Sequence, residues 1–96
     1  MYYIYILTNQ SNKVMYIGVT NDLRRRITEH KSQSSSIDSF TKRYNVNKLV
    51  YFEAFPDPQT ALRREKQLKR WVRQKKNDLV CTMNPTWEDL FCKLPL

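Results

Sequence analysis

An α/β sandwich, with helices packed on a small, mainly antiparallel three-stranded sheet, is the fold this sequence predicts. Three observations lead there. Strand-like runs rich in β-branched and aromatic residues occur at Tyr2–Thr8, Val14–Val19 and Lys48–Phe55. Segments with helical periodicity follow the second and third runs, giving the order β-β-α-β-α-α. The chain has 96 residues, room for one domain and no more, taken as 1–96.

Each element has a local reason. Tyr2–Thr8 is apolar on both faces, as a central strand is. Asn9-Gln10-Ser11-Asn12-Lys13 is turn chemistry, and Val14–Val19 closes a hairpin. Gly18 is the single glycine, and inside a strand it marks a bulge or a close approach of backbone. Thr20 or Asn21 can cap a helix from about Asp22 to Lys31. Ser32–Ser39 reads as a loop and Phe40–Tyr44 as one short turn. Asp57-Pro58 supplies an N-cap and a proline at the first helical position of a basic helix running to about Arg73. A shorter helix near Lys76–Met83 stops at Asn84-Pro85. Thr86 and Asp89 are spaced like a capping box for a final turn, with Asp in place of Glu.

Composition removes several classes. At 41% hydrophobic residues the chain can build a core, which argues against disorder. No run approaches a membrane span, and the N-terminus lacks the basic region and apolar core of a signal peptide. Cys81 and Cys92 form no C-x-x-C pair, and there is one histidine, so a zinc finger is excluded and a reduced, cytoplasmic chain is expected. Lys and Arg number 17 against 9 acids, a net charge of +8. Between Ala61 and Lys76 eight basic residues stand against one acid, Glu65, and a second cluster is Arg24-Arg25-Arg26. Such fields attract polyanions, nucleic acid above all, although a solvated surface looks the same in composition.

Polar residues on apolar helix faces are more informative. At 100° per residue, with Leu23 at 0°, Ile27 lies at about 40°, His30 at about 340° and Arg26 at about 300°. Arg26 and His30 therefore share the stripe of the two apolar residues, as a snorkelling arginine beside a half-buried histidine or as parts of a site. In the basic helix, Ala61, Leu68 and Val72 define a stripe, Leu62 flanks it, and Glu65 falls within it at about 40°. A carboxylate facing inward needs a partner, either Lys69 one turn on, Arg26 across the core, or a hard cation. Tyr5 and Tyr16, on consecutive strands, can be cross-strand neighbours that serve as packing or handle a water.

Taken together these residues resemble the GIY-YIG nuclease superfamily, and most of all its short stand-alone bacterial members. Tyr3-Ile4-Tyr5 stands for the first motif, with Tyr3 in place of glycine, and Tyr16-Ile17-Gly18 for the second, with ten residues between Tyr5 and Tyr16. The segment Asn21–His30 is similar to the family's arginine helix, Ala61–Lys69 to its glutamate helix, and Asn84 to its late asparagine. The resemblance implies a metal-dependent endonuclease acting on nucleic acid, DNA more than RNA, with little sequence specificity. Tyr5, Tyr16, Arg26, His30 and Glu65 would be catalytic. Glu65 would hold Mg²⁺ or Mn²⁺, Arg26 would neutralise the phosphate, and one tyrosine would orient or deprotonate a water. Gly18 and Asn84 would support the site. Arg24, Arg25 and Lys42 would contact nucleic acid, with Arg63, Lys66, Lys69, Arg70 and Arg73 extending the same surface. Partners would be nucleic acid and no membrane, with a monomer assumed. A nucleic-acid-binding module with a degenerate site, or a basic adaptor for an acidic protein, are the competing readings.

Overall fold

The computed structural model describes residues 1–94. Strands β1 (Tyr2–Thr8), β2 (Met15–Thr20) and β3 (Lys48–Phe55) form one antiparallel sheet in the order β2-β1-β3. Between β2 and β3 run α1 (Leu23–Ser32) and α2 (Ser39–Arg43). After β3 come α3 (Pro58–Arg70), α4 (Arg73–Met83) and a 3₁₀ turn at Phe91–Lys93.

Helices cover both sheet faces, which is why β1 is buried from Ile4 to Thr8 without alternation. Ile4 and Ile6 of β1 pack with Ile17, with Ala61 and Leu68 of α3 and with Val80 of α4. Tyr5 and Leu7 point the other way and pack with Leu23 and Ile27 of α1, Leu49, and Leu90 and Leu94 of the C-terminal turn. An irregularity in the β1–β3 pairing at Ile6/Leu7 leaves Val50 as the extra residue, so that Val50 and its neighbour Tyr51 both join the first core while Leu49 joins the second. No helix among the described residues is long and apolar enough to cross a membrane.

Several local expectations are corrected. Asp22, not Thr20 or Asn21, caps α1: its carboxylate accepts the Arg25 N–H at 3.1 Å, while the Thr20 hydroxyl accepts the N–H of Asp22. The basic helix stops at Arg70 and the next one starts at Arg73 rather than near Lys76. Trp71 and Val72 between them are extended (ψ 147° and 157°). The Trp71 ring is held against the first core with Arg64 at 5.3 Å and Lys75 at 4.3 Å from its centroid. Val72 is thereby thrown out of the apolar stripe to 71% exposure, and Leu62 is exposed as well. The Thr86/Asp89 capping box does not form. Asp89 instead accepts the N–H groups of Leu49 and Phe91.

Asn84 closes this end of the molecule. It is buried; its amide donates to the carbonyls of Val50 (3.2 Å) and Glu88 (2.8 Å) and its Oδ1 accepts the Glu88 N–H (3.1 Å). Asn84 thus joins the end of α4 to β3 and sets the path of the C-terminal turn. Asn84→Ala removes one buried and two part-buried hydrogen bonds, so urea denaturation should show a loss of about 1–3 kcal/mol. An unchanged midpoint would contradict this anchoring role.

Candidate active site

The site starts from strand register. Tyr5 pairs with Gly18 and Leu7 with Tyr16, so both phenols and the glycine share one sheet face. The Tyr5 ring lies directly over Gly18. A Cβ on residue 18 would sit 2.5 Å from the Tyr5 hydroxyl oxygen, 2.6 Å from its Cζ and 3.0 Å from a Tyr16 ring carbon. Gly18 has no positive φ, so its reason is space rather than backbone freedom.

Helix α1 brings His30 onto the two phenols. His30 Nε2 lies 3.3 Å from the Tyr5 hydroxyl, and the three ring centroids are 5.7–6.3 Å apart. His30 is 2% exposed and its Nδ1 has no hydrogen-bond partner among the described residues. Burial, reinforced by the Arg26 charge, pushes its pKa down to about 4, so the ring is neutral at pH 7. Burial pushes the Tyr5 phenol up to about 12. The neighbouring Arg26 holds part of that rise back, whereas Tyr16 and Glu65 add to it. The half-buried Tyr16 is raised by the same loss of water, with Asp38 adding and Lys69 and Arg26 opposing.

Arg26 projects beside Tyr5 from the turn before His30. Its Nη1 donates to Glu29 at 2.9 Å and to the Ser36 carbonyl at 3.4 Å, so the guanidinium is aimed by its own helix and by the loop before α2. Glu65 comes from α3, on the opposite face. Its side chain is 17% exposed and pairs with the more exposed Lys69 at 3.2 Å. The arrangement therefore joins Tyr5, Tyr16 and His30 by ring contact and adds Arg26 alongside, while Glu65 pairs with Lys69 on α3 and adds only slightly to the rise at the two phenols. It is assembled across layers rather than in a hollow of one sheet face. A depression of about 270 Å³ lined by Tyr3, Leu23, Arg24 and Phe52 lies elsewhere.

The basic residues divide. Arg25, Arg63, Lys66 and Arg70 are exposed, and Lys42 is half-buried. Arg24 is occupied by the Leu94 carbonyl (3.1 Å), Lys69 by Glu65, and Arg73 by the carbonyls of Asn12 (2.6 Å) and Lys13 (3.0 Å), where it clamps the β1–β2 turn. Glu29, Ser36 and Asp38 were not singled out by the sequence. Their part is tertiary, and the only trace of it is the Asp that caps α2.

A family model described as the GIY-YIG catalytic domain matches residues 1–78. The chain belongs to this family. A UPF0213 protein of Haloquadratum walsbyi is 35% identical over 78 residues, covering 81% of this chain and 84% of that one. A UPF0213 protein of Clostridium perfringens is 35% identical over 80 residues, 83% of each. The solution NMR structure of a UPF0213 protein from Bacillus halodurans superposes with a TM-score of 0.57 at 33% identity, covering 93% of both chains. In this GIY-YIG domain the two motifs that name the family face each other across β1 and β2, Tyr5 against Gly18.

Two outcomes follow from this packing. Gly18→Ala must displace the Tyr5 ring, so thermal melting should report a loss of about 1–3 kcal/mol, against almost none if the ring moved freely. His30 sets a pH dependence. The folded ring takes a proton only near pH 4, the unfolded one near 6.5, so in that window the unfolded state binds more protons. Stability should therefore fall as pH drops from 6.5 to 4, by at most about 3 kcal/mol from this group. Denaturation of wild type and His30→Gln at both pH values isolates the contribution, and equal slopes would remove it.

Proposed function

We propose that the chain is a divalent-metal-dependent endonuclease that hydrolyses phosphodiester bonds in nucleic acid, with DNA the first substrate class and little sequence specificity. The observation that carries this reading is the cluster of two phenols, a neutral imidazole and a guanidinium on a domain of net charge +8. Hydrolysis needs an oriented water, an acceptor for its proton and positive charge on the phosphate. Tyr16, the more exposed phenol, orients the water. Tyr5 keeps its proton at neutral pH and shares a hydrogen bond with His30, whose neutral ring holds the phenol in place, while the proton of the attacking water passes to solvent or a phosphate oxygen. Arg26 offers a planar fork to the non-bridging oxygens. Arg25, Arg63, Lys66 and Arg70 draw in the phosphate backbone.

Glu65 fits a hard cation. It is a half-buried carboxylate on an otherwise apolar helix face, electrostatically linked to both phenols, and Mg²⁺ typically takes one or two carboxylates with phosphate oxygens and water. No group of three His, Cys, Asp or Glu placed to hold a metal ion occurs among the described residues. A bound Mg²⁺ or Mn²⁺ would supply positive charge to the phosphate and lower the proton affinity of nearby water. The exposed, unpaired Cys81 and Cys92 suit a reducing compartment, and we place the chain in the cytoplasm.

Glu65→Gln tests this reading. With Mg²⁺ and a panel of duplex, branched and single-stranded DNA and RNA, cleavage should fall by orders of magnitude, since metal stabilisation of the transition state amounts to several kcal/mol. Affinity for nucleic acid in EDTA should hold or rise slightly. Melting temperature should barely move, because a pair with one exposed partner contributes under about 1 kcal/mol. Wild-type cleavage by a destabilised variant would leave Glu65 only its ion pair with Lys69.

A further inference from the structure

We propose that Asp89, together with Lys31, is a positioning residue that fixes the roll of α1 and so aims Arg26 and His30 at the tyrosines. Asp89 lies beyond the residues that the family model matches. The inference rests on the nuclease reading for its kinetic consequence but not for its geometry.

Asp89 is bound on three sides. Its Oδ1 accepts the N–H of Leu49 on β3 at 3.2 Å and the N–H of Phe91 at 3.0 Å, and its Oδ2 takes the ammonium of Lys31 on α1 at 2.5 Å. The Leu90 N–H donates to the Leu49 carbonyl at 2.8 Å, which holds the segment along β3. Two turns before Lys31, Arg24 donates to the Leu94 carbonyl at 3.1 Å. The Arg24 guanidinium and the Lys31 ammonium lie 5.2 Å and 5.4 Å from the centre of the Phe91 ring. One flank of α1 is thus tied at both ends to a C-terminal strap that is itself anchored to the sheet.

The opposite flank carries the site. With Leu23 at 0°, Arg24 and Lys31 lie at about 100° and 80°, Arg26 and His30 at about 300° and 340°. Leu23 and Ile27 beneath the helix hold its height but resist rotation weakly, since aliphatic contacts are not directional. A helix with its side chains has a radius of about 5–6 Å, so a roll of about 20° carries a side-chain tip by about 2 Å. Misplacement of a reacting group by about 1 Å can cost about a hundredfold in rate. The ties at Asp89, Phe91 and Leu94 supply the directional restraint that the apolar seat lacks.

The single histidine makes the idea measurable without any turnover. His30 is faced by Tyr5 from β1, Tyr16 from β2, Arg26 and Glu29 on its own helix, and Asp38 from the loop before α2. Asp89→Asn retains the Oδ1 acceptor for Leu49 and Phe91 and removes the charge that binds Lys31. Loosening α1 lets water reach the ring, so the His30 pKa read by NMR should rise toward 6.5. Loss of a negative charge acting directly would lower it, so the sign separates the two. With the DNA that the wild-type chain cuts fastest, kcat should fall about tenfold to a hundredfold while KM stays within about twofold. Lys31→Ala should match Asp89→Asn and add little to it in the double variant, and Lys31→Arg should restore kcat. An unshifted His30 pKa, or an unchanged kcat with a lowered melting temperature, would reduce Asp89 to a stabilising contact and overturn the proposal. A wild-type chain that cuts nothing, with the His30 shift still present in Asp89→Asn, would refute the nuclease reading and keep the positioning role.

Discussion

The absence of a side chain at residue 18 is the constraint on which the site depends. Directly opposed residues in an antiparallel pair have their Cβ atoms about 5 Å apart, too close for a phenol to lie across its neighbour. At Tyr5 and Gly18 one of the two Cβ atoms is missing, and the ring falls into the vacated space. That tilt brings its hydroxyl to His30 and its edge toward Tyr16. The glycine therefore acts on the chemistry through a neighbour, two strand positions from the phenol nearest it on β2.

Placing a neutral imidazole between two phenols and a guanidinium has a thermodynamic cost that the fold must offset. His30 and Tyr5 are both driven toward their uncharged forms by loss of water, and the unpartnered Nδ1 is a further unmet demand. The surrounding apolar seat, with Leu23, Ile27, Leu49, Val46 and Leu90 in one cluster, supplies the compensating burial. Strain and unmet polarity gather where a substrate would bring partners of its own, and phosphate oxygens and water are such partners.

Legibility in the sequence tracks how local the cause is. Tyr2–Thr8 and Lys48–Phe55 could be bounded to the residue, because each is an apolar run between turn or charge-rich segments. The inward turn of Arg26, His30 and Glu65 could be read from helical spacing alone, since spacing fixes direction whatever the helix packs on. The cap of α1 was ambiguous because Thr20, Asn21 and Asp22 are all capping residues in a row, and the choice falls to whichever the preceding strand leaves in extended conformation. The end of α3 had no local mark, as neither glycine nor proline stands near it. The break comes from Trp71 being captured by the core between two cations, a tertiary event. The engagement of Arg24 and Arg73 with distant carbonyls was hidden for the same reason: a basic residue looks identical in sequence whether it awaits a phosphate or already holds the backbone.

The ion pair between Glu65 and Lys69 satisfies the carboxylate within α3 itself. The charge of Glu65 adds to the rise in proton affinity at both phenols. Lys69, one turn along the same helix, pairs with the carboxylate and opposes the rise at Tyr16. The pair contributes little: the lysine is 53% exposed, and such a pair is screened by salt. On the proposed reading a divalent cation would bring twice the charge and would compete with the exposed ammonium for Glu65. An arginine at this position, with its rigid fork, would hold the carboxylate more firmly and leave it less open to exchange. The lysine pairs with Glu65 in the free protein, and the proposed ligand role would require its displacement.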